Sequence, residues 1–183
     1  MNAYLILYEV INLSIQPISC NQTLAVATHR IFPPDLNEHQ TVFGGKLLSL
    51  VDDSASVAAV RLTHAKVVTA SLDHINFLVP FQLDNIISME AYVSGTGHRS
   101  LEVFAKLIGE DLMTGKRFLG FTCFLTYVLS TPQAASLPTV RPVTKEQRYV
   151  CAGYLQRYQE RQAQRASEQA LINHVNLDSP FQP

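Results

Sequence analysis

A change of hydrophobic period near residue 64 most constrains what this chain can fold into. Residues 46–62, KLLSLVDDSASVAAVRL, carry apolar side chains at helical spacing without a helix-breaking residue. Segments on either side instead have the period or the β-branched composition of strands. The expected strands cover residues 23–32, 66–77, 86–94, 99–109 and 118–129. One strand, one helix and a run of antiparallel strands predict an α+β domain in which a long sheet wraps around a single helix.

Composition supports one folded domain and excludes several functional classes. Of the 183 residues, 47% are apolar and 16% are charged, which is enough apolar material for a core. The formal net charge of -1 provides no global field for wrapping nucleic acid or coating an anionic membrane, so we expect neither as a partner. The three cysteines are an odd number at wide spacings, which fits neither a disulfide framework nor a zinc cluster. This cysteine usage indicates a reducing compartment and predicts a cytoplasmic protein.

The chain divides into an N-terminal extension (residues 1–22), a central domain (23–130) and a C-terminal part (131–183). Residues 4–15 are rich in Leu and Ile, but no Lys or Arg precedes Arg30, and Glu9 and Pro17 interrupt the apolar run. This pattern predicts a packed strand or short helix rather than a signal segment or a membrane span. Residues 131–142 predict a linker.

Residues 144–170 predict a polar C-terminal helix rich in Arg and Gln, which includes Arg148, Arg157, Arg161 and Arg165. We expect a solvated surface helix. The alternative is a helix that faces a nucleotide or a partner, because clustered Arg side chains can bind phosphate.

Two adjacent carboxylates of the central helix fall on different faces, because residues three, four and seven apart share a face. Asp53 shares a polar face with Ser49 and is expected to be solvated. Asp52 aligns with Leu48 and Ala55 on an apolar face, where a carboxylate is costly unless it is paired or protonated. A functional site explains such a residue, and a dimer contact or a hydrogen bond to a neighbouring loop explains it equally well.

Gly44 and Gly45 lie where the helix begins. Free N–H groups at a helix N-terminus can stabilise an oxyanion, although a simple hinge explains two glycines as well. Eight helical residues at ~1.5 Å each separate Gly44 from Asp52 by about 12 Å, so one carbonyl group cannot contact both. If the two features act together, the oxyanion donor and the carboxylate come from two copies of the chain, in a site across a symmetric dimer.

Other catalytic patterns are absent from the sequence. The six histidines show no metal-ligand spacing, so we expect no metal site, and Cys123 lies in an apolar strand where a structural role is the default. His74 and Asn76 lie at alternate positions of one strand, either as a satisfied polar pair or as part of a pocket lining.

Three blocks in order, LNEHQTVFGGKLLSLVDD, VVTASLDHINFLVP and GTGHRSLEVFAKL, resemble the acyl-CoA thioesterase family of the hotdog fold, in particular its branch of cytosolic acyl-CoA hydrolases. The resemblance covers about residues 25–130 and extends to the Arg-rich tail. It implies an antiparallel sheet around one central helix, and dimers often assembled into trimers of dimers. It also implies hydrolysis of an acyl-CoA thioester to a free acid and coenzyme A, with no metal and no cofactor other than the coenzyme A of the substrate.

The resemblance also implies roles for individual residues. The family's catalytic acid falls on Asp52, which would act as general base or nucleophile, and its asparagine falls on Asn37, which would orient the water or the thioester. Gly44 and Gly45 fall beside the thioester carbonyl, with Gly45 at the oxyanion. The positions where the family contacts coenzyme A are Thr69, His98, Arg99 and Ser100, and Arg99 is the candidate for a coenzyme phosphate.

Three positions depart from the family pattern: Gln40 replaces a glycine, Lys46 an aromatic residue, and Asp84 with Asn85 a Gly-Asp pair. The first two border the expected site and could alter the preferred acyl length. Two other functions are open. One is a non-catalytic regulatory hotdog module that binds acyl-CoA, although no helix-turn-helix accompanies this domain. The other is a hotdog dehydratase, which needs a histidine on or beside the central helix, whereas His39 and His64 lie outside it.

Overall fold

The computed structural model describes residues 16–131 and 136–178, in which a five-stranded antiparallel sheet packs on one long helix. The strands are Ile18–Ser19 (β1), Ala25–Arg30 (β2), Val67–Phe77 (β3), Asn85–Thr96 (β4), Ser100–Asp111 (β5), Arg117–Leu129 (β6) and Val140–Arg141 (β7). The helices are Cys20–Thr23 (α1), Gly44–Thr63 (α2), Lys145–Ala152 (α3) and Tyr154–His174 (α4), with a 3-10 turn at Pro33–Asp35. The main sheet has the order β2-β4-β5-β6-β3, so β3 forms an edge of the sheet.

The core lies between α2 and one face of the sheet. The buried residues of α2 recur at helical spacing and are largely small, which lets the helix approach the strands closely. They are Leu47, Val51, Ser54, Ala55, Ala58, Ala59 and Leu62. Alternate residues of the central strands, such as Val103 and Leu125, complete this core. The predicted α+β fold with one central helix is therefore confirmed.

The boundaries of α2 and of the strands of the main sheet agree with the sequence expectation to within about two residues, whereas α4 ends at His174, four residues beyond the expected end of the C-terminal helix. Residues 95 and 96 lie beyond the expected strand 86–94 but belong to β4, and the ring of Tyr154 lies directly over Gly95. A side chain at this position would collide with that ring, so glycine is required here by close approach rather than by a turn.

The expected single C-terminal helix is two helices, separated at Gly153. Thr144 begins α3 with a capping box, in which its hydroxyl accepts from the Gln147 amide and the Gln147 side chain accepts from the Thr144 amide. The expectation of a solvated surface helix is wrong for the first half of α4, because Arg157 and Arg161 are largely buried against the sheet.

A buried glutamate explains this packing. The side chain of Glu102, on the outer face of β5, is 0% exposed and accepts two hydrogen bonds from Arg157, at 3.1 and 2.8 Å, and one from Arg161 at 2.8 Å. Ser94 donates a further bond of 2.7 Å, and the Arg157 guanidinium stacks 3.9 Å from the centre of the Phe124 ring. Glu102 alternates with the core-facing residues of its strand, so the sequence pattern predicts an exposed side chain and does not indicate that arginines more than fifty positions away will bury it.

The N-terminal expectation for residues 4–15 lies outside the described residues. The described end of the extension does pack on the domain: β1 pairs in parallel with β7, and α1 precedes β2 directly. The predicted linker is described from residue 136, and its end contains β7. The boundaries at residues 22 and 130 stay predictions.

Candidate active site

Asp52 lies in the middle of α2 at the margin of its buried face and is half-buried. Its Oδ1 atom accepts a hydrogen bond of 2.8 Å from Thr69 Oγ1 and one of 3.1 Å from the hydroxyl of Tyr127. The neighbouring Asp53 is exposed, as expected. The carboxylate beside the apolar face is therefore held by two hydroxyl groups from the adjoining strands, β3 and β6.

Tyr127 is a site residue that sequence reasoning missed. It lies opposite Thr69 in the pairing of β3 with β6, and β3 has a bulge between Thr69 and Ser71 that changes the pairing at this point. Its hydroxyl is also 3.1 Å from the backbone oxygen of Asp52. Burial, followed by the charge of Asp52, raises the pKa of Tyr127, so the phenol stays protonated and donates. The available signal was its inward position in β6, where a tyrosine hydroxyl needs a polar partner.

Gly44 and Gly45 are the first two residues of α2. The preceding N-cap residue, Phe43, makes no side-chain capping bond, and the first amides bonded back to Phe43 are those of Lys46 and Leu47. Across residues 16–131 and 136–178, no acceptor is bonded to the amides of Gly44 and Gly45. The helix rise places these amides about 12 Å from Asp52 along the axis, so one chain does not bring them together.

Asn37 lies in the loop that leads to α2. Its Oδ1 accepts from the amide of His39 at 2.9 Å and from the amide and hydroxyl of Thr41 at 3.1 and 3.2 Å. Its backbone amide also donates to the Thr41 carbonyl, so the side chain and backbone together close the loop. No hydrogen bond in the described part of the chain joins Asn37 to Asp52.

Gln40, which replaces a family glycine, has a φ angle of 59°. This left-handed conformation favours glycine, so the family pattern has a backbone reason and the glutamine carries strain. Lys46, another departure, forms an ion pair of 3.4 Å with Asp35, whose carboxylate also accepts from the amide of Phe32 at 3.0 Å. Lys46 therefore ties the first turn of α2 to the preceding loop.

His98, Arg99 and Ser100 line one end of a groove of about 470 Å³ between the sheet and α4. The helix contributes Tyr158 and Arg165, among other residues, to the lining of the same groove. Thr69 does not line this groove, although the next two residues of β3 do. Its hydroxyl is instead hydrogen-bonded to Asp52.

The remaining expectations concern metals, membranes and two strand residues. No group of three or more His, Cys, Asp or Glu side chains suitable for a metal ion occurs among the residues that the structure describes. None of the described helices is both long and apolar enough to cross a membrane. Asn76 donates to the backbone oxygen of His74 at 2.8 Å, whereas the His74 side chain lies 3.9 Å from a carboxylate oxygen of Glu160.

Comparison with known proteins identifies the class to which this fold belongs. The model of the Thioesterase superfamily matches residues 39–116, a range that holds α2 and the strands β3, β4 and β5 but not Asn37. A relative from Bacillus subtilis (strain 168), described as an uncharacterized acyl-CoA thioester hydrolase, YkhA, is 42% identical over 164 residues, which is 88% of this chain and 95% of the relative.

Solved structures agree. The acyl-CoA hydrolase from Bacillus cereus is 33% identical, with a TM-score of 0.84 over 88% of this chain and 100% of that chain. An acyl-CoA hydrolase from Staphylococcus aureus in complex with butyryl coenzyme A, coenzyme A and coenzyme A disulfide is 30% identical, with a TM-score of 0.79 over 85% and 96% of the two chains. A hexameric acyl-CoA thioesterase is 30% identical, with a TM-score of 0.78 over 83% and 99%.

The sheet around one central helix, together with these relatives, thus defines a hotdog-fold thioesterase. The chain belongs to the acyl-CoA thioesterase family of this superfamily, and its enzyme class is thioester hydrolase.

Proposed function

We propose that this protein hydrolyses acyl-CoA thioesters to a free carboxylic acid and coenzyme A, with Asp52 as general base or nucleophile. The observation that carries the proposal is the half-buried carboxylate of Asp52, fixed by Thr69 and Tyr127 in a chain of the acyl-CoA thioesterase family. A carboxylate held by only two hydroxyl groups at the margin of a core is oriented for a task, since packing alone favours an apolar residue there.

The two oxygens of Asp52 have different surroundings. Oδ1 accepts both side-chain bonds, whereas no group in the described residues donates to Oδ2. Oδ2 is therefore available to take a proton from water, whose oxygen then attacks the thioester carbonyl carbon. It is equally available to attack that carbon itself, after which water hydrolyses the resulting anhydride. In both routes the carbon–sulfur bond breaks and the coenzyme A thiolate leaves and takes up a proton.

The site is proposed to lie across a dimer interface. β3 is an 11-residue edge strand that exposes Val68 (53%) and Phe77 (57%), and an exposed edge with apolar side chains is a template for pairing. Because β3 carries Thr69, a second copy added at this edge lies next to Asp52. A two-fold pairing would bring the partner's helix N-terminus to the carbonyl, with an amide at Gly45 or Gly44 holding the oxyanion and Asn37 orienting water or thioester.

Higher assembly follows the same reasoning. The similarity to the solved hexameric acyl-CoA thioesterase extends over 99% of that chain. We therefore propose that dimers of this chain assemble into a trimer of dimers. The reaction needs only the carboxylate, water and the coenzyme A of the substrate, so no metal or further cofactor is proposed. The cysteine spacing supports a cytoplasmic location.

Coenzyme A is proposed to bind along the groove at the β4–β5 turn. Arg99 and Arg165 both line this groove and supply guanidinium groups, which bind phosphate oxygens in paired hydrogen bonds. The groove is also lined by carboxylates, of which Glu102 is already paired with arginines of α4. His98 and Ser100 add further hydrogen-bonding groups at the same end. Thr69 is proposed to orient the Asp52 carboxylate through its hydrogen bond. A contact between Thr69 and coenzyme A stays a prediction.

The test compares the wild type, Asp52→Asn and Asp53→Asn by free thiol release from a panel of acyl-CoAs of short to long chain. Asp53 is the matched control because it is the adjacent residue in the same helix and is exposed. We expect turnover by the wild type and by Asp53→Asn, and a loss of at least a hundredfold in Asp52→Asn, about 2.7 kcal/mol of transition-state stabilisation.

Two results would contradict the proposal in different ways. Equal turnover by Asp52→Asn and wild type would remove Asp52 from the chemistry but leave the thioesterase activity. No turnover by any variant, together with acyl-CoA binding by calorimetry, would favour the non-catalytic acyl-CoA-binding module.

A further inference from the structure

Two of the three cysteines meet in a second apolar cluster, away from the candidate active site. Cys20 is the first residue of α1, Cys151 is the penultimate residue of α3, and their sulfur atoms are 3.7 Å apart. They are separated by 131 positions in the chain. Cys123 lies instead in the core between the sheet and α2. The fold therefore brings together the thiols of the N-terminal segment and of the C-terminal helices.

The two thiols differ in access. Cys20 is fully buried against Tyr92, Phe104 and Val150, whereas Cys151 is partly exposed. A small molecule in solution therefore reaches Cys151 first.

The two thiols also differ in acidity. The hydrogen bond from Cys151 holds the pKa of the Cys20 thiol below its usual value, against the effect of burial and with help from the charge of Arg141. The same hydrogen bond, with burial, raises the pKa of Cys151. Cys20 is thus the better thiolate of the pair and lies behind the more accessible sulfur.

We propose that Cys20 and Cys151 form an oxidative modification site, at which a small-molecule disulfide converts the pair into an intramolecular disulfide. This inference is independent of the proposed function. A disulfide needs a sulfur–sulfur distance of about 2.05 Å, so the two sulfurs, which are 3.7 Å apart, must approach each other by about 1.65 Å. Cys20 belongs to α1, a helix of four residues at the end of the N-terminal segment.

The reaction is a two-step thiol–disulfide exchange. The Cys151 thiol passes its proton across the 3.7 Å hydrogen bond to the Cys20 sulfur, and the Cys151 sulfur attacks one sulfur of the small disulfide, whose sulfur–sulfur bond breaks. The thiolate that is released takes this proton from Cys20. The Cys20 thiolate then attacks the Cys151 sulfur and releases the second half. Two cysteine thiols are oxidised by two electrons, the small disulfide is reduced to two thiols, and the cysteine protons pass to the released thiolates.

The disulfide would connect the N-terminal segment covalently to α3, which packs with α4 on the outer face of the sheet. Cys151 lies next to Val150, which packs on the outer face of the sheet, and Arg157 bonds the backbone oxygen of that residue and the buried Glu102. Closing a loop of more than a hundred residues restricts the unfolded chain strongly, so the oxidised protein should melt about 5–10 °C higher than the reduced one.

The experiment uses the full chain in its native state, incubated with oxidised glutathione or with dithiothreitol. Cleavage after Lys and Arg places the three cysteines on three different peptides, because Arg30, Arg117 and Arg148 lie between or before them. We expect mass spectrometry without reduction to find the Cys20 peptide linked to the Cys151 peptide. The number of free thiols should fall from three to one, and the melting temperature should rise and return with dithiothreitol.

Variants separate this pair from non-specific oxidation. Cys123→Ser should form the same link, whereas Cys20→Ser should stop at a glutathione adduct on Cys151, and Cys151→Ser should form no link. Three free thiols after native oxidation, a lasting glutathione adduct in the wild type, or a link through Cys123 would each overturn the proposal. The wild-type peptide map decides the question even if a variant does not fold.

Discussion

Asp52 illustrates how one residue at the edge of a core acquires a partner from each neighbouring strand. The helical wheel identified it as out of place, and Thr69 and Tyr127 supply the hydrogen bonds that keep it there. Both donors reach the same oxygen, which fixes the plane of the carboxylate and leaves the other oxygen free of partners in the described structure. A positioned carboxylate needs less reorganisation at the transition state.

Tyr127→Phe tests this positioning. The ring still fills its buried site, but the hydroxyl no longer reaches Asp52, so we expect kcat/KM for acyl-CoA hydrolysis to fall about tenfold, or ~1.4 kcal/mol. The melting temperature should change little, since the removed hydroxyl leaves an aromatic ring of the same shape. Tyr149→Phe is the control because Tyr149 is 85% exposed. Unchanged kinetics in Tyr127→Phe would show that Asp52 is oriented without it.

Asp35 links single-residue chemistry to pH. Burial alone raises its pKa, but hydrogen bonds from the Phe32 amide and from His29, at 2.9 Å, together with Lys46, hold the pKa below its usual value. A lowered folded-state pKa adds stability that is complete above the unfolded-state pKa near 3.8 and is lost as the pH falls through the folded-state value.

We therefore expect Asp35→Asn to be less stable than the wild type at pH 7, with a difference that shrinks as the pH drops below about 4. Urea unfolding at pH 7, 5 and 3 measures this. Asp53→Asn, at an exposed carboxylate, should show no such trend. A difference for Asp35→Asn that is the same at all three pH values would mean that its ionised form is not what stabilises the loop before α2.

At the scale of secondary-structure elements, the C-terminal helices are held by charge as well as by apolar packing. Glu102 on β5 is fully buried with two arginines of α4, so the helix cannot leave the sheet without exposing all three groups. The same helix supplies one wall of the groove at the β4–β5 turn. The anchoring of α4 therefore determines the shape of that groove.

Glu102→Gln should destabilise the protein by about 3–5 kcal/mol, because it leaves the buried guanidinium of Arg157 without a counter-charge and leaves Arg161 with only its longer pair to Asp73, at 3.7 Å. Glu110→Gln is the matched control: it lies on the same strand, and its pair with Arg117 is at 3.8 Å and exposed, which is worth less than about 1 kcal/mol. Chemical denaturation of both variants measures the contrast. Equal stabilities would mean that apolar contacts alone hold α4.

At the scale of the whole molecule, β3 leaves the structure with an open edge. Its exposed apolar side chains and its contact with Asp52 through Thr69 connect the surface of one chain to its candidate active site. A sheet that continues into a second copy would satisfy the edge and complete the site at once.

Val68→Lys places a charge on this edge and should convert the oligomer to monomers with loss of most thioesterase activity, while far-UV circular dichroism stays unchanged. Light scattering after size-exclusion chromatography measures the mass. Met113→Lys is the control, since Met113 is 80% exposed in the turn between β5 and β6. A monomeric Val68→Lys protein with full activity would contradict a site that needs two chains.

The sequence by itself determined the elements and the single most informative residue. Hydrophobic period defined α2 and every long strand, because each element directs one set of side chains at regular spacing into the core, and the same rule showed Asp52 to be out of place. Gly44 and Gly45 could be assigned to the helix start for a similar local reason.

Only the tertiary structure decided which distant groups meet. Tyr127 with Asp52, Arg157 with Glu102 and Cys20 with Cys151 are 75, 55 and 131 positions apart. Strand order and helix docking bring these pairs together, and neither of them leaves a periodic signal in the sequence. The free-energy cost of burying a polar group depends on its partner in the fold and not on its neighbours along the chain.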